Sequence, residues 1–171
     1  MEISLLTAYE AEGHLGRLSE ILRDSVEGGA LVGYILPFDI EQSKTYWRGV
    51  VRSVEDGERL LYCAVDGSGI IGSVQLYLSP EPNAPHRAEI YKLLVHSAFQ
   101  SRGVGAALMR HVEAEALRLG RSLLLLDTVA GGTGERLYRK LDWQEVGTVP
   151  RHFVDPHGNF KSSVYFMKLL D

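Results

Sequence analysis

The sequence predicts an α/β chain of the α+β kind, in which a mixed, mostly antiparallel central sheet is flanked by helices. Three observations carry this. Strand-like and helix-like segments alternate along the 171 residues. Two β-rich runs, Arg59 to Val65 and Ile70 to Leu78, are joined by Asp66-Gly67-Ser68-Gly69, a glycine-bearing turn that links antiparallel strands. A strand, a helix and a second strand then follow one another between Ala88 and Asp127, in the order of a parallel crossover.

Each element has a local reason. Ile3 to Leu6 reads as a short first strand, and Leu15, Leu18, Leu22 and Val26 recur at helical spacing until Gly28-Gly29 ends the helix. Ala30 to Phe38 is apolar but broken by Gly33 and Pro37, so it is a loop. Asp39 suits the N-cap of a second helix running towards Arg52, with Gly57 closing that region. Pro80, Pro82 and Pro85 make the segment from Ser79 to Arg87 a loop, after which the chain re-enters a strand at Ala88 to Val95. The next helix buries Val104, Leu108, Val112, Ala116 and Leu119, with Gly120 just beyond its C-terminus. Leucines at 123 to 126 make Ser122 to Asp127 a fully buried strand, because the run is too short for an amphipathic helix. A helix over about Gly134 to Leu141 and two closing strands, Glu145 to Val149 and Ser163 to Leu169, complete the chain. With no internal repeat and no linker longer than a loop, residues 1 to 171 are expected to form one domain.

Composition narrows the function classes. The apolar fraction of 45% is ordinary for a globular fold, and no apolar run approaches a membrane span. The N-terminal Met1-Glu2-Ile3-Ser4 lacks the positive and long apolar regions of an export signal, and Cys63 has no second cysteine to pair with. A reducing, cytoplasmic setting is the expectation. The formal net charge of −4 gives no whole-protein attraction for nucleic acid or an acidic membrane, so any polyanion must be held locally.

One such local site is legible. Gln100, Ser101, Arg102, Gly103, Val104, Gly105 and Ala106 lie between the strand ending near Val95 and the following helix. Alternate glycines let the backbone approach a ligand, the first N–H groups of a helix have no internal partners, and Arg102 adds a positive charge. This is a cradle for phosphate. A dinucleotide-binding reading fits less well, because Gly103-Val104-Gly105 is not continued by a third glycine at Leu108.

Gln100, Gly103 and Gly105 resemble the acetyl-CoA motif of the GNAT superfamily of N-acetyltransferases, Gln or Arg, two residues, Gly, one residue, Gly or Ala. Glu135 to Trp143, with Tyr138 and Lys140, resembles that family's late motif. It departs from it at Asp142-Trp143, where Gly-Phe is usual, and at Gly131, where an Asn is common. Further stretches, among them Val26 to Ala30, Arg87 to Ile90, Leu126 to Thr128 and Asp155-Pro156, are similar to a toxin-resistance branch of the family. The resemblance implies a GNAT-like fold, acetyl-CoA as co-substrate with no metal, and main-chain contacts from Leu94 and Val95, one of whose N–H groups would polarise the thioester carbonyl.

The chemistry implied is acetyl transfer to a primary amine in a ternary complex. Only about one alkylammonium in a thousand is neutral at pH 7, so a base is useful. Glu89, expected on one strand face with Tyr91, Leu93 and Val95, and Asp127, at the end of the leucine strand, are the candidates. If those strands are neighbours, both carboxylates meet one cleft; which is the base stays open. Two acids so placed would raise one pKa. Tyr138 is the candidate acid for the departing thiolate. Against these stand plainer roles: Glu89 paired with Arg87, Asp127 capping a turn, Tyr138 in the core. Tyr34, Phe38 and Phe153 are candidate acceptor-pocket residues, in the loop 28 to 38 and the segment 151 to 160. Cys63 and the scattered histidines carry no nucleophile or metal pattern, so metal ligands are not expected. The expected partner is a small-molecule amine, with no nucleic acid and no membrane, and a homodimer is left open. A protein N-terminus or lysine as acceptor, and a non-catalytic acyl-CoA sensor, are the alternatives.

Overall fold

In the computed structural model, which describes residues Met1–Asp171, the chain runs β1 (Glu2–Leu6), α1 (Ala8–Gly13), α2 (Leu15–Glu27), α3 (Ile40–Glu55), β2 (Arg59–Asp66), β3 (Gly69–Leu78), β4 (Arg87–Val95), a 3-10 turn (Ser97–Phe99), α4 (Val104–Arg118), β5 (Leu123–Val129), α5 (Thr133–Lys140), β6 (Gln144–Val154) and β7 (Phe160–Leu169). One sheet of seven strands takes them in the order β1-β2-β3-β4-β5-β7-β6. Only the β4–β5 pair is parallel. That is the mixed, mostly antiparallel sheet that the hairpin and the crossover call for. No helix is long and apolar enough to cross a membrane.

Side chains set the boundaries. Asp39 accepts the Gln42 N–H and Gln42 returns a bond to the Asp39 N–H, a capping box that starts α3. Thr7 and Glu10 make the same motif at α1, a short helix that the leucine stripe of α2 does not reveal. In the β6–β7 turn Asp155 accepts the N–H groups of His157 and Asn159, and the bond from Asn159 leads in holding its carboxyl down at about 2.

The helices divide into two layers. On one face α4 and α5 cover a core that includes Tyr62, Leu76, Ile90, Leu108, Leu124 and Phe166. On the other, α1 to α3 cover Leu61, Cys63 and Leu94 with Leu18, Leu22 and Trp47. Burying a side chain of this size contributes about 1.5–3 kcal/mol, so the two layers dominate the stability of the sheet.

Four expectations are corrected. Leu119 is 38% exposed, because α4 ends at Arg118 and Gly120, at φ 74°, turns the chain away. Leu124 and Leu126 are buried, yet Leu123 and Leu125 are half-buried, since α4 and α5 cover only one face of β5. The closing strands are longer than expected and carry β6 through Pro150 to Val154. An edge strand tolerates proline, and a register shift between Val149 and Phe153, with Arg151 at φ 57°, absorbs it.

The fourth correction shapes the site. Tyr91 pairs with Gln75 and Leu94 with Ser73, so β4 holds one residue more than β3 over this stretch, and Lys92 sits at φ 47°. The bulge inverts the alternation. Glu89 and Tyr91 share a face, but Leu93 and Val95 turn to the opposite one and pack against the α4 core, while Leu94 joins the α1 to α3 core. Pairing of β4 with β5 also stops at Glu89↔Leu125, though both strands continue. From Ile90 onwards the edge of β4 that faces β5 has no strand partner.

Candidate active site

The gap between β4 and β5 opens onto the turn that leads into α4. Gln100 donates from Nε2 to the Val95 carbonyl at 3.1 Å, and Ser97 donates its N–H and hydroxyl to Asp24 of α2, both at 2.7 Å. These bonds pin the turn. Ser101 at φ 60° and Gly103 at φ 82° then reverse the backbone, and α4 starts without a side-chain cap. As a result the N–H groups of residues 101 to 106 find no acceptor in the protein.

Gly105 faces Leu137 of α5 and Leu93 and Val95 of β4, which a Cβ there would meet at 3.4, 3.9 and 3.9 Å, ordinary van der Waals contact. Arg102 rests over the Phe99 ring at 5.4 Å and has no carboxylate partner. Leu94 is buried, so towards the gap it offers main chain only. A row of free N–H groups, an unpaired guanidinium and an open strand edge suit a long ligand with a diphosphate end. The residues present therefore fit coenzyme A.

Glu89 and Asp127 lie on the same face of neighbouring strands. Glu89 is level with Leu125, and Asp127 stands two residues further along β5. The Tyr91 hydroxyl donates to Glu89 at 2.6 Å, whereas Arg87 pairs with Glu81, so the Arg87–Glu89 pairing is not the one formed. Asp127 accepts the Ser163 hydroxyl at 2.6 Å, and His152 Nε2 stands 3.9 Å from the same carboxylate oxygen. Asp127 is thus a strand residue tied to β7, not a turn cap. Both charges reach the same phenols. The Tyr91 phenol is pushed up to about 12 by burial, then by its bond to Glu89, with Asp127 adding to the shift. Tyr165 is raised by burial first and by Asp127 and Glu89 after it.

Tyr138 comes from the other side of the sheet. It is 7% exposed, its ring tilted against those of Trp143 and Phe166 at 6.0 and 5.9 Å, and its hydroxyl makes no hydrogen bond within the protein. Burial, with the Asp127 charge second, holds its pKa well above that of an ordinary phenol. Tyr138 is therefore a core aromatic by packing and a neighbour of Asp127 by electrostatics.

A cleft of about 240 Å³ lies between residues 31 to 35 of the α2–α3 loop and residues 152 to 154 of β6. Tyr34 and Phe153 line it, as their segments suggest. Phe38 does not: it is 6% exposed and packs beneath Tyr34, with ring centroids 4.5 Å apart. The sequence gives no signal for Ser163, His152, Arg59 or Lys92, whose place here depends on strand register and the β4 bulge. Cys63 is buried, and desolvation pushes its thiol up to about 12, which leaves it unreactive. No three His, Cys, Asp or Glu side chains cluster as metal ligands.

Residues 34–143, more than half of the chain, match the acetyltransferase (GNAT) family. The chain belongs to that family, and its class is that of the acetyl-CoA-dependent N-acetyltransferases. Among solved structures it is similar to a GCN5-related N-acetyltransferase from Kribbella flavida, at 24% identity and a TM-score of 0.79 over 99% of this chain and 97% of that one. A ribosomal-protein-alanine N-acetyltransferase from Brucella melitensis superposes with a TM-score of 0.80 at 21% identity, covering 99% and 100% of the two chains. The Salmonella typhimurium protein yncA, solved with its cofactor acetyl-CoA, gives 0.79 at 16% identity, covering 99% and 94%. At these identities the likeness shows the fold.

Proposed function

We propose that this chain is a single acetyltransferase domain that moves the acetyl group of acetyl-CoA directly to the primary amine of a small, amino-acid-like molecule. The observation that carries the cofactor half of this reading is the run of N–H groups at residues 101 to 106 left without acceptors. Main chain from Gln100 to Ala106, with the Arg102 charge, would hold the diphosphate, and the strand edge at Leu94 and Val95 would align the arm that ends in the acyl group. Acetyl-CoA supplies an activated thioester. A main-chain N–H at Leu94 or Val95 would polarise its carbonyl.

Glu89 and Asp127 would do the acid–base work. One carboxylate takes the ammonium proton, directly or through water, while the other holds the amine in place. Ser163 fixes one oxygen of Asp127 and the Tyr91 hydroxyl fixes one of Glu89, so each carboxylate keeps a lone pair for the acceptor. Tyr138 keeps its proton throughout the ordinary pH range. Its part is to hold that proton at Oη as a hydrogen-bond donor towards the departing sulfur, since burial makes full release unfavourable.

The acceptor half rests on the cleft. The cleft, about 240 Å³ and lined largely by apolar side chains, has room for a small amine. The stretches similar to the tabtoxin-resistance acetyltransferase, whose acceptor is an amino-acid toxin, support the same acceptor class. A cytoplasmic setting goes with this reading.

Calorimetry with coenzyme A, followed by a thiol-release screen of amino acids, aminoglycosides, polyamines and peptides, tests the proposal. Saturable binding and turnover with small amines are expected. No heat with folded protein overturns the cofactor site, turnover with peptides alone overturns the acceptor class, and binding without turnover across the panel turns the reading into a sensor.

A further inference from the structure

A second charged group stands beside the paired carboxylates. Lys92, at the β4 bulge, and Arg59, on β2, are both half-buried, and neither has a carboxylate within salt-bridge distance. The Lys92 ammonium finds no acceptor at all. It stands 5.4 Å from the centroid of the Tyr46 ring and 3.5 Å from where a Cβ on Gly33 would be, and Gly33 lines the cleft. Arg59 lies over Tyr77 at 5.5 Å and Tyr91 at 5.2 Å, and donates only to Gln75, whose amide in turn bonds the Tyr46 hydroxyl. The two cations are thus joined through Tyr46 and Gln75.

A cation withdrawn from water without an anion or acceptors is costly, and proteins normally pair it. Desolvation, reinforced by Arg59, lowers the pKa of Lys92, while Asp127 works in the opposite sense. The bulge itself puts Lys92 here. Had β4 kept its alternation, position 92 would follow Ile90 to the α4 core, where a lysine has no place.

We infer that Lys92, supported by Arg59, forms the subsite for an anionic group of the acceptor, a carboxylate, so that the substrate class is the free amino acid and its close analogues. The inference rests on the reading of the site given above and deepens it. A zwitterion lies along the cleft with its ammonium towards Glu89 and Asp127 and its carboxylate towards Lys92. Gly33 lies beside the Lys92 Nζ, and its φ of 92° disfavours a side chain at that point of the cleft wall. The arrangement selects against simple amines, which have nothing to offer Lys92, and against peptide N-termini, whose carboxyl is an amide.

The test measures binding rather than turnover, so it does not depend on guessing the natural side chain. The protein is saturated with coenzyme A, and calorimetry follows the addition of matched products: N-acetyl-methionine, N-acetyl-methioninamide and the N-acetyl amine that lacks the carboxyl, then the same set built on leucine and glutamate. The free carboxylates should bind at least about tenfold more tightly than their amides in at least one set. Lys92→Met should abolish that preference with coenzyme A affinity unchanged, and Lys92→Arg should restore part of it. Equal affinity within every set, no saturable binding of any carboxylate, or a preference that survives both Lys92→Met and Arg59→Met, overturns the inference. A loss of coenzyme A binding itself strikes instead at the cofactor site.

Discussion

The two faces of the central sheet are built from the same strands and do different work. Towards α4 and α5, β2 to β5 and β7 present Tyr62, Leu76, Ile90, Leu124, Leu126 and Phe166, and helices cover them throughout. On the other face α1 to α3 pack over β2, β3 and part of β4, and the sheet beyond carries Glu89, Tyr91, Asp127, Ser163 and Tyr165. The candidate carboxylates stand where the second helical layer ends. There, backbone geometry is fixed by pairing and by the packed face behind it, while the near face stays open to ligand.

This contrast can be broken by substitution, and the largest effect should come from the open face. Either Glu89→Gln or Asp127→Asn should lower turnover by about 10²–10⁴-fold with coenzyme A affinity and thermal midpoint little changed; wild-type rates in both variants would remove the acid–base assignment. On the packed face the loss should be in stability. Phe166→Ala leaves a cavity among Tyr138, Trp143 and Leu124 and should cost about 3–5 kcal/mol in urea denaturation, and a value under about 1 would mean that this layer is not close-packed.

Between the faces, Gly72 sits where β3, β4 and α4 meet. A Cβ there would come 2.8 Å from the Leu94 carbonyl oxygen and 3.3 Å from Leu108 and Val104. Gly72→Ala is expected to destabilise by about 1–3 kcal/mol, and unchanged unfolding would show that β4 and α4 can both give way.

A smaller effect concerns pH. Burial raises the phenols of Tyr46, Tyr62 and Tyr91 from 10.0, and the Cys63 thiol from 9.0, to about 12. The folded state binds these protons more tightly than the unfolded one, so their contribution is intact below about pH 9 and lost as pH rises towards about 12. Urea midpoints should fall over that window, and Cys63→Ala should lessen the fall. A flat profile up to pH 12 would contradict the burial of these groups.

Much of this was readable in the chain. The Asp39 cap, the Asp66 to Gly69 turn, the leucine strand and the glycine turn into α4 each follow from local rules, because each depends on a few adjacent residues. Glu89, Asp127 and Tyr138 are candidates through the resemblance to one family, and the structure adds only that Glu89 and Asp127 share a face of neighbouring strands. Leu93 and Val95 were misplaced by strict alternation, since nothing in Tyr91-Lys92-Leu93 announces a bulge. Phe38 was misread for a related cause: in a loop, an aromatic facing a pocket and one packed beneath it have the same sequence.

What the sequence determined by itself is every main element but α1, and the glycine turn into α4, because periodicity, caps and glycine conformations act over a few residues. Only the tertiary structure decided that β4 and β5 part after Glu89, that Lys92 turns towards the cleft, and that Ser163 and His152 meet Asp127. Those contacts join residues far apart in the chain. Strand register and the bulge set them, and the energies that fix register are spread over whole strands rather than written at any one position.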